Sequence, residues 1–176
     1  SHAGYYPGGK LMTMKVVFEK GTCRLLGAQI VGYEGVDKRI DVLAAAIRAG
    51  MTGPELSELD LAYAPPYSSA KDPVNMAGYV AENILTKKVE VIDWRKISQL
   101  SSDTILVDVR TADEYSLGSI PGAINIPVDE LRNRLSELPK DKPIVVTCAV
   151  GLRGYLAYRI LVQHGYKDVK NLSGGY

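Results

Sequence analysis

Apolar and polar positions alternate from Met12 to Val16 and end on the apolar Val17 and Phe18 in "MTMKVVF", which predicts a strand. "EKGT" supplies turn residues, and the apolar and β-branched run "CRLLGAQIVG" returns, so the pair predicts a hairpin. From Val36 the period lengthens. Val36, Ile40, Leu43, Ala44 and Ile47 share one face of a predicted helix with Arg48 in its last turn and Gly50 as its stop. A second helix is predicted in "TGPELSEL", where Thr52 caps, Pro54 sits early and Glu55 completes a capping pattern. "DLAYAPPYSSAKDP" carries three prolines and predicts a long irregular loop. Asp72 and Pro73 then open a helix with Val74, Ala77, Tyr79, Val80 and Ile84 along its apolar side, closed by Lys87 and Lys88.

From Val89 the rhythm changes to strands and helices in alternation. "VEVI", "TILVDV", "AINIP", "PIVVTC" and "VKNL" read as strands, and the unbroken apolar run in "PIVVTC" is of the kind buried on both faces of a parallel sheet. Asp93 caps "WRKISQL", "VDELRNRLSEL" is amphipathic, and "GYLAYRILVQHG" predicts a helix ended by Gly165. The expected fold is an α+β domain over residues 1–88 followed by an α/β domain with a parallel sheet over residues 89–176. No Gly/Ser-rich linker or internal repeat separates them.

Composition narrows the function classes. Twenty-one basic against twenty acidic residues leave a net charge of +1, which points to neither nucleic acid nor an anionic membrane surface. The two cysteines, Cys23 and Cys148, form no disulfide framework, and no apolar run approaches a membrane span. The expectation is a soluble, cytoplasmic protein. His2 and His164 lack the neighbours a metal site needs, so no metal is expected. The opening "SHAGYYPGGK" without a methionine and the close on "LSGGY" suggest a piece of a longer chain, truncated at its C-terminus.

The candidate chemistry sits at Cys148. "PIVVTC" delivers this cysteine to the carboxyl end of a predicted parallel strand, where open α/β folds place their sites. If Ala149, Val150, Gly151 and Leu152 curl into a loop before a helix starting near Arg153, their amides and the helix dipole create a concavity for an anion. Arg153 adds a positive charge, and both effects favour an attacking sulfur. Composition alone reads an unpaired cysteine as small apolar filler.

The surroundings change that balance. "ILVDVRTADEYSLGSIPGAINIP" and "CAVGLRGYLAYRILVQHGYKDVKNLSGGY" stand in an order that resembles the rhodanese, or sulfurtransferase, family. The resemblance implies that Cys148 is a nucleophile that attacks a sulfane sulfur and holds it as a persulfide. The loop amides would stabilise that sulfur and Arg153 would serve as the anion stabiliser. Ser119 stands where a histidine is frequent in the family, and the Trp and final helix that commonly follow the Gly-Gly pair are missing. Arg153 is the loop's one charge, which argues against thiosulfate as donor and for a persulfide or polysulfide. Cysteine phosphatases place five residues between Cys and Arg, whereas four stand here. Asp108 and Arg110 read as a structural clamp, and Glu114 as a local cap or pair.

"HAGYYPGGKLMTMKVVF", "LLGAQIVGYEGVDKRIDVLAAAIRAGMT" and "LDLAYAPPYSSAKDPVNMAGYVAEN" resemble the dimerisation domain of FAD-dependent pyridine-nucleotide disulfide oxidoreductases. The likeness is to the branch of CoA-disulfide reductases and related NADH oxidases. It implies a homodimer through residues 1–88, with Tyr5 and Tyr63, and less so Tyr6, reaching the partner subunit's active site. A phenol there donates a hydrogen bond to a thiolate or a developing oxyanion. The same eleven tyrosines also suit interface or core positions. Lys10 and Lys71 could meet a CoA phosphate or be solvated surface lysines, and Cys23 reads as inert. FAD, NADH and CoA are implied for the full-length protein, but no Gly-x-Gly-x-x-Gly occurs here, so the chain alone is expected to hold none of them.

The leading expectation is the C-terminal part of an NAD(P)H- and FAD-dependent reductase of CoA disulfide, CoA persulfide or polysulfide. Its rhodanese domain would carry sulfane sulfur on Cys148. The alternatives are a stand-alone sulfurtransferase, a non-catalytic dimerisation or binding module and, weakened by loop length, a cysteine phosphatase.

Overall fold

Main-chain pairing begins at β1 (Met12–Phe18), which runs antiparallel to β2 (Leu25–Gly32) in the computed structural model, whose description covers residues 5–176. His2 and the first residues of the "HAGYYPGGK" motif lie outside the described residues. The chain divides into two compact units, one ending at Thr86 and one running Lys87–Tyr176.

In the first unit the hairpin is followed by α1 (Val36–Arg48), a 3₁₀ turn (Pro54–Glu58) and α2 (Pro73–Leu85). Leu25, Leu43, Ala46, Leu56 and Val74 form the core. The predicted second helix is only this 3₁₀ turn. Thr52 does not cap it; the Glu55 carboxylate instead accepts from the Thr52 amide at 2.6 Å and hydroxyl at 2.8 Å. The buried face of α1 carries Arg39, Leu43 and Ala46, while Ala44 is exposed. The buried face of α2 carries Val74, Asn75, Gly78 and Ala81, leaving Tyr79 and Val80 exposed. Gly78 is required there, because a Cβ would overlap the Ser57 amide nitrogen.

Arg39 is 1% exposed and anchors the long loop after the 3₁₀ turn. Its guanidinium pairs with Asp72 at 2.9 Å and donates to Ser68 Oγ at 3.0 Å and the Tyr67 carbonyl at 3.1 Å. Lys38 holds the other end through the Ala62 carbonyl at 2.9 Å. Asp72 caps α2 and closes a capping box with Asn75. Burial would raise the Asp72 carboxyl, but Ser68, the Val74 amide and Arg39 outweigh it and hold it below its ordinary value.

The second unit is a five-stranded parallel sheet of β3 (Val91–Asp93), β4 (Ile105–Asp108), β5 (Ile124–Asn125), β6 (Ile144–Thr147) and β7 (Val169–Ser173), in the order β3-β7-β6-β4-β5. All its strand pairs are parallel. β6 lies between β4 and β7 and is buried at every position, as its unbroken apolar run predicts. Short α3 (Ala112–Ser116) follows β4, and α4 (Leu152–Gln163) follows β6. "WRKISQ" and the amphipathic "VDELRNRLSEL" form 3₁₀ turns, not α-helices. In the latter, the Tyr166 hydroxyl donates to the carbonyls of Leu135 and Leu138 at 2.6 and 3.0 Å, a tertiary contact outside any helical ladder.

Candidate active site

The loop between β6 and α4 turns back on its own cysteine. Gly151 adopts φ 117°, a conformation that only glycine enters without strain, and so starts α4 at Leu152 with its first amides facing the end of β6. Cys148 Sγ accepts from the Gly151 amide at 3.0 Å and the Gly154 amide at 3.3 Å. The residue is 1% exposed. Amides at a helix N-terminus that converge on sulfur stabilise negative charge there by orientation alone. Gly154 was not among the expected loop residues, yet its amide is one of the two that reach the sulfur.

Several contacts fix this cradle. Asn171 on β7 donates through Nδ2 to the Gly151 carbonyl at 3.2 Å, while its buried Oδ1 has no hydrogen-bond partner. A Cβ on Gly154 would overlap that oxygen, so the helix start and β7 approach closely only with glycine here. At the chain's end, the Tyr176 amide donates to the Cys148 carbonyl at 3.0 Å, and a Cβ on Gly175 would strike the Ala149 carbonyl. Val150 and Leu152 form an apolar rim, 86% and 63% exposed.

Arg153 does not turn its terminal nitrogens to the sulfur. Nη1 and Nη2 donate to Glu114 at 2.6 and 2.8 Å in a bidentate pair. The carboxylate is itself held by the N-terminus of α3, where it accepts from the Thr111 amide at 3.1 Å in a capping box. Arg153 first, then the Thr111 amide, pull the Glu114 carboxyl down to about 2. Thr-x-x-Glu in "TADE" was legible as a cap; its role as the arginine's partner, 39 positions away, was not.

Asp108 and Arg110 make the clamp that their position suggested. Both are buried and paired at 2.7 Å, and Arg110 also donates to the Gly118 carbonyl at 2.7 Å and stacks over Tyr176 with its guanidinium carbon 4.2 Å from the ring centre. Asn125 donates to the carbonyls of Asp108 and Arg110 at 2.9 and 3.0 Å. An open groove of about 580 Å³ flanks the Gly174–Gly175 turn, lined by Trp94, Ile97, Ile120 and Leu172, and Cys148 is not part of its wall.

Tyr5 and Tyr63 belong to the other unit and are 83% and 53% exposed; Tyr6 is 40% exposed. Cys23 takes φ 64° in the hairpin turn, with Sγ 3.9 Å from the Gly21 carbonyl. Lys71 lies 5.6 Å from the Tyr79 ring centre. Among the described residues, no group of three or more His, Cys, Asp or Glu could hold a metal ion. Among those residues, too, no helix is long and apolar enough to cross a membrane.

A cysteine held by main-chain amides in the loop after a buried parallel strand defines a class of α/β domain that stabilises charge on its own sulfur. The family model for the rhodanese-like domain matches residues 77–176, and the chain belongs to that family. The pyridine nucleotide-disulphide oxidoreductase dimerisation domain matches residues 1–74. The crystal structure of reduced Bacillus anthracis CoADR-RHD is similar at 51% identity and a TM-score of 0.95, over 99% of this chain and 31% of that one. An NAD-dependent persulfide reductase from A. fulgidus is similar at 47% identity and a TM-score of 0.87, over the same 99% and 31%. The coenzyme A disulfide reductase of Staphylococcus haemolyticus is 51% identical over 84 residues, which are 48% of this chain and 19% of that protein. The chain thus spans about a third or less of the length of these relatives.

Proposed function

We propose that this chain is the C-terminal part of an NAD(P)H- and FAD-dependent reductase of CoA disulfide, CoA persulfide or polysulfide, and that its rhodanese-like domain carries sulfane sulfur on Cys148. In this reading residues 1–88 are the dimerisation domain, through which two copies associate, and residues 89–176 the sulfur-carrying domain. The protein works in the cytoplasm. The observation that carries the reading is the pair of amides, from Gly151 and Gly154, donated to Cys148 Sγ at the carboxyl end of β6. The relatives' names, coenzyme A disulfide reductase and NAD-dependent persulfide reductase, support the choice of substrates.

The Cys148 thiolate attacks the outer sulfur of a persulfide, R–S–SH. A bond forms from Cys148 Sγ to that sulfur as the bond between the donor's two sulfurs breaks, and the electron pair leaves on R–S⁻. The loop Ala149, Val150, Gly151 and Leu152 wraps the new persulfide, its oriented amides holding charge without rearrangement. Arg153 is the anion stabiliser at one remove, since Glu114 fixes where its charge lies. An acceptor thiolate then attacks the outer sulfur and restores Cys148. Tyr5 and Tyr63 contribute hydroxyls to the partner subunit's active site.

The residues present do not fit a flavin. The chain has no Gly-x-Gly-x-x-Gly, and the amides at the start of α4 are turned to Cys148. FAD and the nicotinamide would be held by other parts of the full-length protein. The test is to mix the chain with CoA persulfide or polysulfide and follow Cys148 by mass spectrometry. A gain of one sulfur, abolished in Cys148→Ser, is expected; an unmodified but alkylatable Cys148 sinks the reading.

A further inference from the structure

Asn171 reaches the Cys148 loop from β7 with half of its side-chain amide unused. Nδ2 donates to the Gly151 carbonyl at 3.2 Å, whereas Oδ1 is buried without a hydrogen-bond partner. The residue is 7% exposed and stands opposite Val146 in the parallel register of β6 and β7. Cys148 lies two residues beyond Val146, so Cys148 and Asn171 share the sheet face on which α4 begins. An apolar side chain would serve packing better there, because a buried acceptor left without a donor is destabilising. Turning the amide over brings no relief, since it would set Oδ1 against the Gly151 carbonyl oxygen. The donor half is what the position retains.

That donor acts on the pivot of the loop. The Gly151 carbonyl takes two hydrogen bonds, from the Tyr155 amide at 2.8 Å within α4 and from Asn171 on β7. At φ 117° Gly151 has the backbone freedom of a residue without a side chain, and a bond from outside the helix removes much of it. Both amides that reach Cys148 Sγ depend on this pivot. One belongs to Gly151 itself, and the other, from Gly154, lies in the turn that closes on the Gly151 carbonyl.

Building on the sulfur-carrying role of Cys148, we propose that Asn171 is a positioning residue for that role. By pinning the Gly151 carbonyl to β7, it keeps the Gly151 and Gly154 amides aimed at the sulfur before and after a second sulfur is gained. Oriented dipoles stabilise developing charge because they need no reorganisation as the charge appears. A loop free to swing about Gly151 would have to reorganise at each transfer. Asn171 therefore acts on the chemistry through Gly151, without contributing a group to the sulfur itself.

The experiment compares the native chain with Asn171→Asp and Asn171→Ala, with folding checked by circular dichroism and stability by urea. Mass spectrometry follows the rate at which Cys148 gains one sulfur from CoA persulfide, read as a ratio to the native chain at each pH. Nuclear magnetic resonance follows the amide protons of Gly151 and Gly154. Asn171→Asp keeps the shape but at pH 8 sets a carboxylate against the Gly151 carbonyl, so sulfur gain should slow about tenfold and both amide resonances should shift. As pH falls toward 5 the new carboxyl, buried and so easily protonated, donates its O–H to Gly151, and the deficit should shrink. Glu114, held at about 2, and Arg153, raised above its ordinary value, keep their charges over that range. Asn171→Ala has no donor at any pH, so its deficit should persist throughout. Native rates in the folded variants would overturn the inference. So would slowed rates that track stability in urea, show no recovery in Asn171→Asp and leave both amide resonances in place. Where neither variant folds, the native chain decides. Its Asn171 side-chain amide protons should exchange slowly and shift when Cys148 is loaded, and free exchange would overturn the inference. If the native chain gains no sulfur, the sulfur-carrying role itself fails, while the amide resonances of the variants still decide whether Asn171 aims the loop.

Discussion

A methyl group on Gly154 would overlap the Asn171 side-chain oxygen, and that oxygen cannot retreat without loosening the Nδ2 contact to the Gly151 carbonyl. Gly154→Ala should therefore destabilise the second unit by about 1–3 kcal/mol, the usual cost of overpacking. It should also slow persulfide formation on Cys148, because the amide that moves is one of the two on Sγ. Unfolding in urea measures the first effect and mass spectrometry the second. Asn171→Ala in the same chain should restore part of the loading rate by making room. The Glu114–Arg153 pair makes a different prediction. The Glu114 pKa is depressed in the fold, so what the pair contributes is present above the ordinary value of 4.5 and is lost only as pH falls toward about 2. Between pH 5 and 8, loading profiles of the native chain and Glu114→Gln should then share one shape, since this carboxyl does not titrate there. A limb that disappears in the variant would contradict the assignment.

Helix packing in the first unit depends on a close approach at Gly78. Gly78→Ala should push α2 off the 3₁₀ turn at Ser57 and lower stability by about 1–3 kcal/mol, checked by chemical denaturation. Asp72 gives this unit its acid sensitivity. Its folded pKa is held below 3.8, so its contribution is complete above that value and is lost as pH drops through the lower folded one. Asp72→Asn should flatten that acid limb. At neutral pH it should cost about 1–3 kcal/mol, because it removes the buried carboxylate charge that Arg39 Nε, Ser68 and the Val74 amide share. These same elements mark where the sequence was legible. Strands β1 to β7 and helices α1, α2 and α4 followed from apolar runs, spacing and caps, because these are encoded in local sequence. What failed was phase and pitch. Arg39 is charged, so no pattern places it in the core, and its partner Asp72 lies 33 positions away. "VDELRNRLSEL" has helical spacing, yet Tyr166 draws the carbonyls of Leu135 and Leu138 into tertiary bonds. At the site, the place of Cys148 at the carboxyl end of β6 and a loop before α4 were readable. That Gly151 makes the turn and that its amide and the Gly154 amide are the two that reach the sulfur were not, and Asn171 and the Glu114 partner arise from contacts between distant segments.

At the scale of the molecule, the first unit carries exposed apolar side chains that a dimerisation domain would cover. Leu11, Val31, Tyr33 and Tyr67 are 92%, 66%, 91% and 72% exposed. Sedimentation equilibrium should give the mass of two chains, and Cys148→Ser should leave that mass unchanged while abolishing sulfur gain. A dimer that dissociates on this single change would tie the two units together in a way the proposed division of labour does not allow. The loop carrying Tyr63 and Tyr67 bears on the same question. Lys38 and Arg39 grip it at Ala62, Tyr67 and Ser68, and the Tyr67 and Ser68 amides donate to the Ala64 carbonyl at 2.8 and 2.9 Å. Conformational entropy is therefore surrendered when α1 folds, and Tyr67 and Ser68 stand in a loop that is ordered before any ligand arrives. Hydrogen exchange should report this directly: the Tyr67 and Ser68 amides should exchange slowly in the unliganded chain and at the rate of an open loop in Arg39→Met.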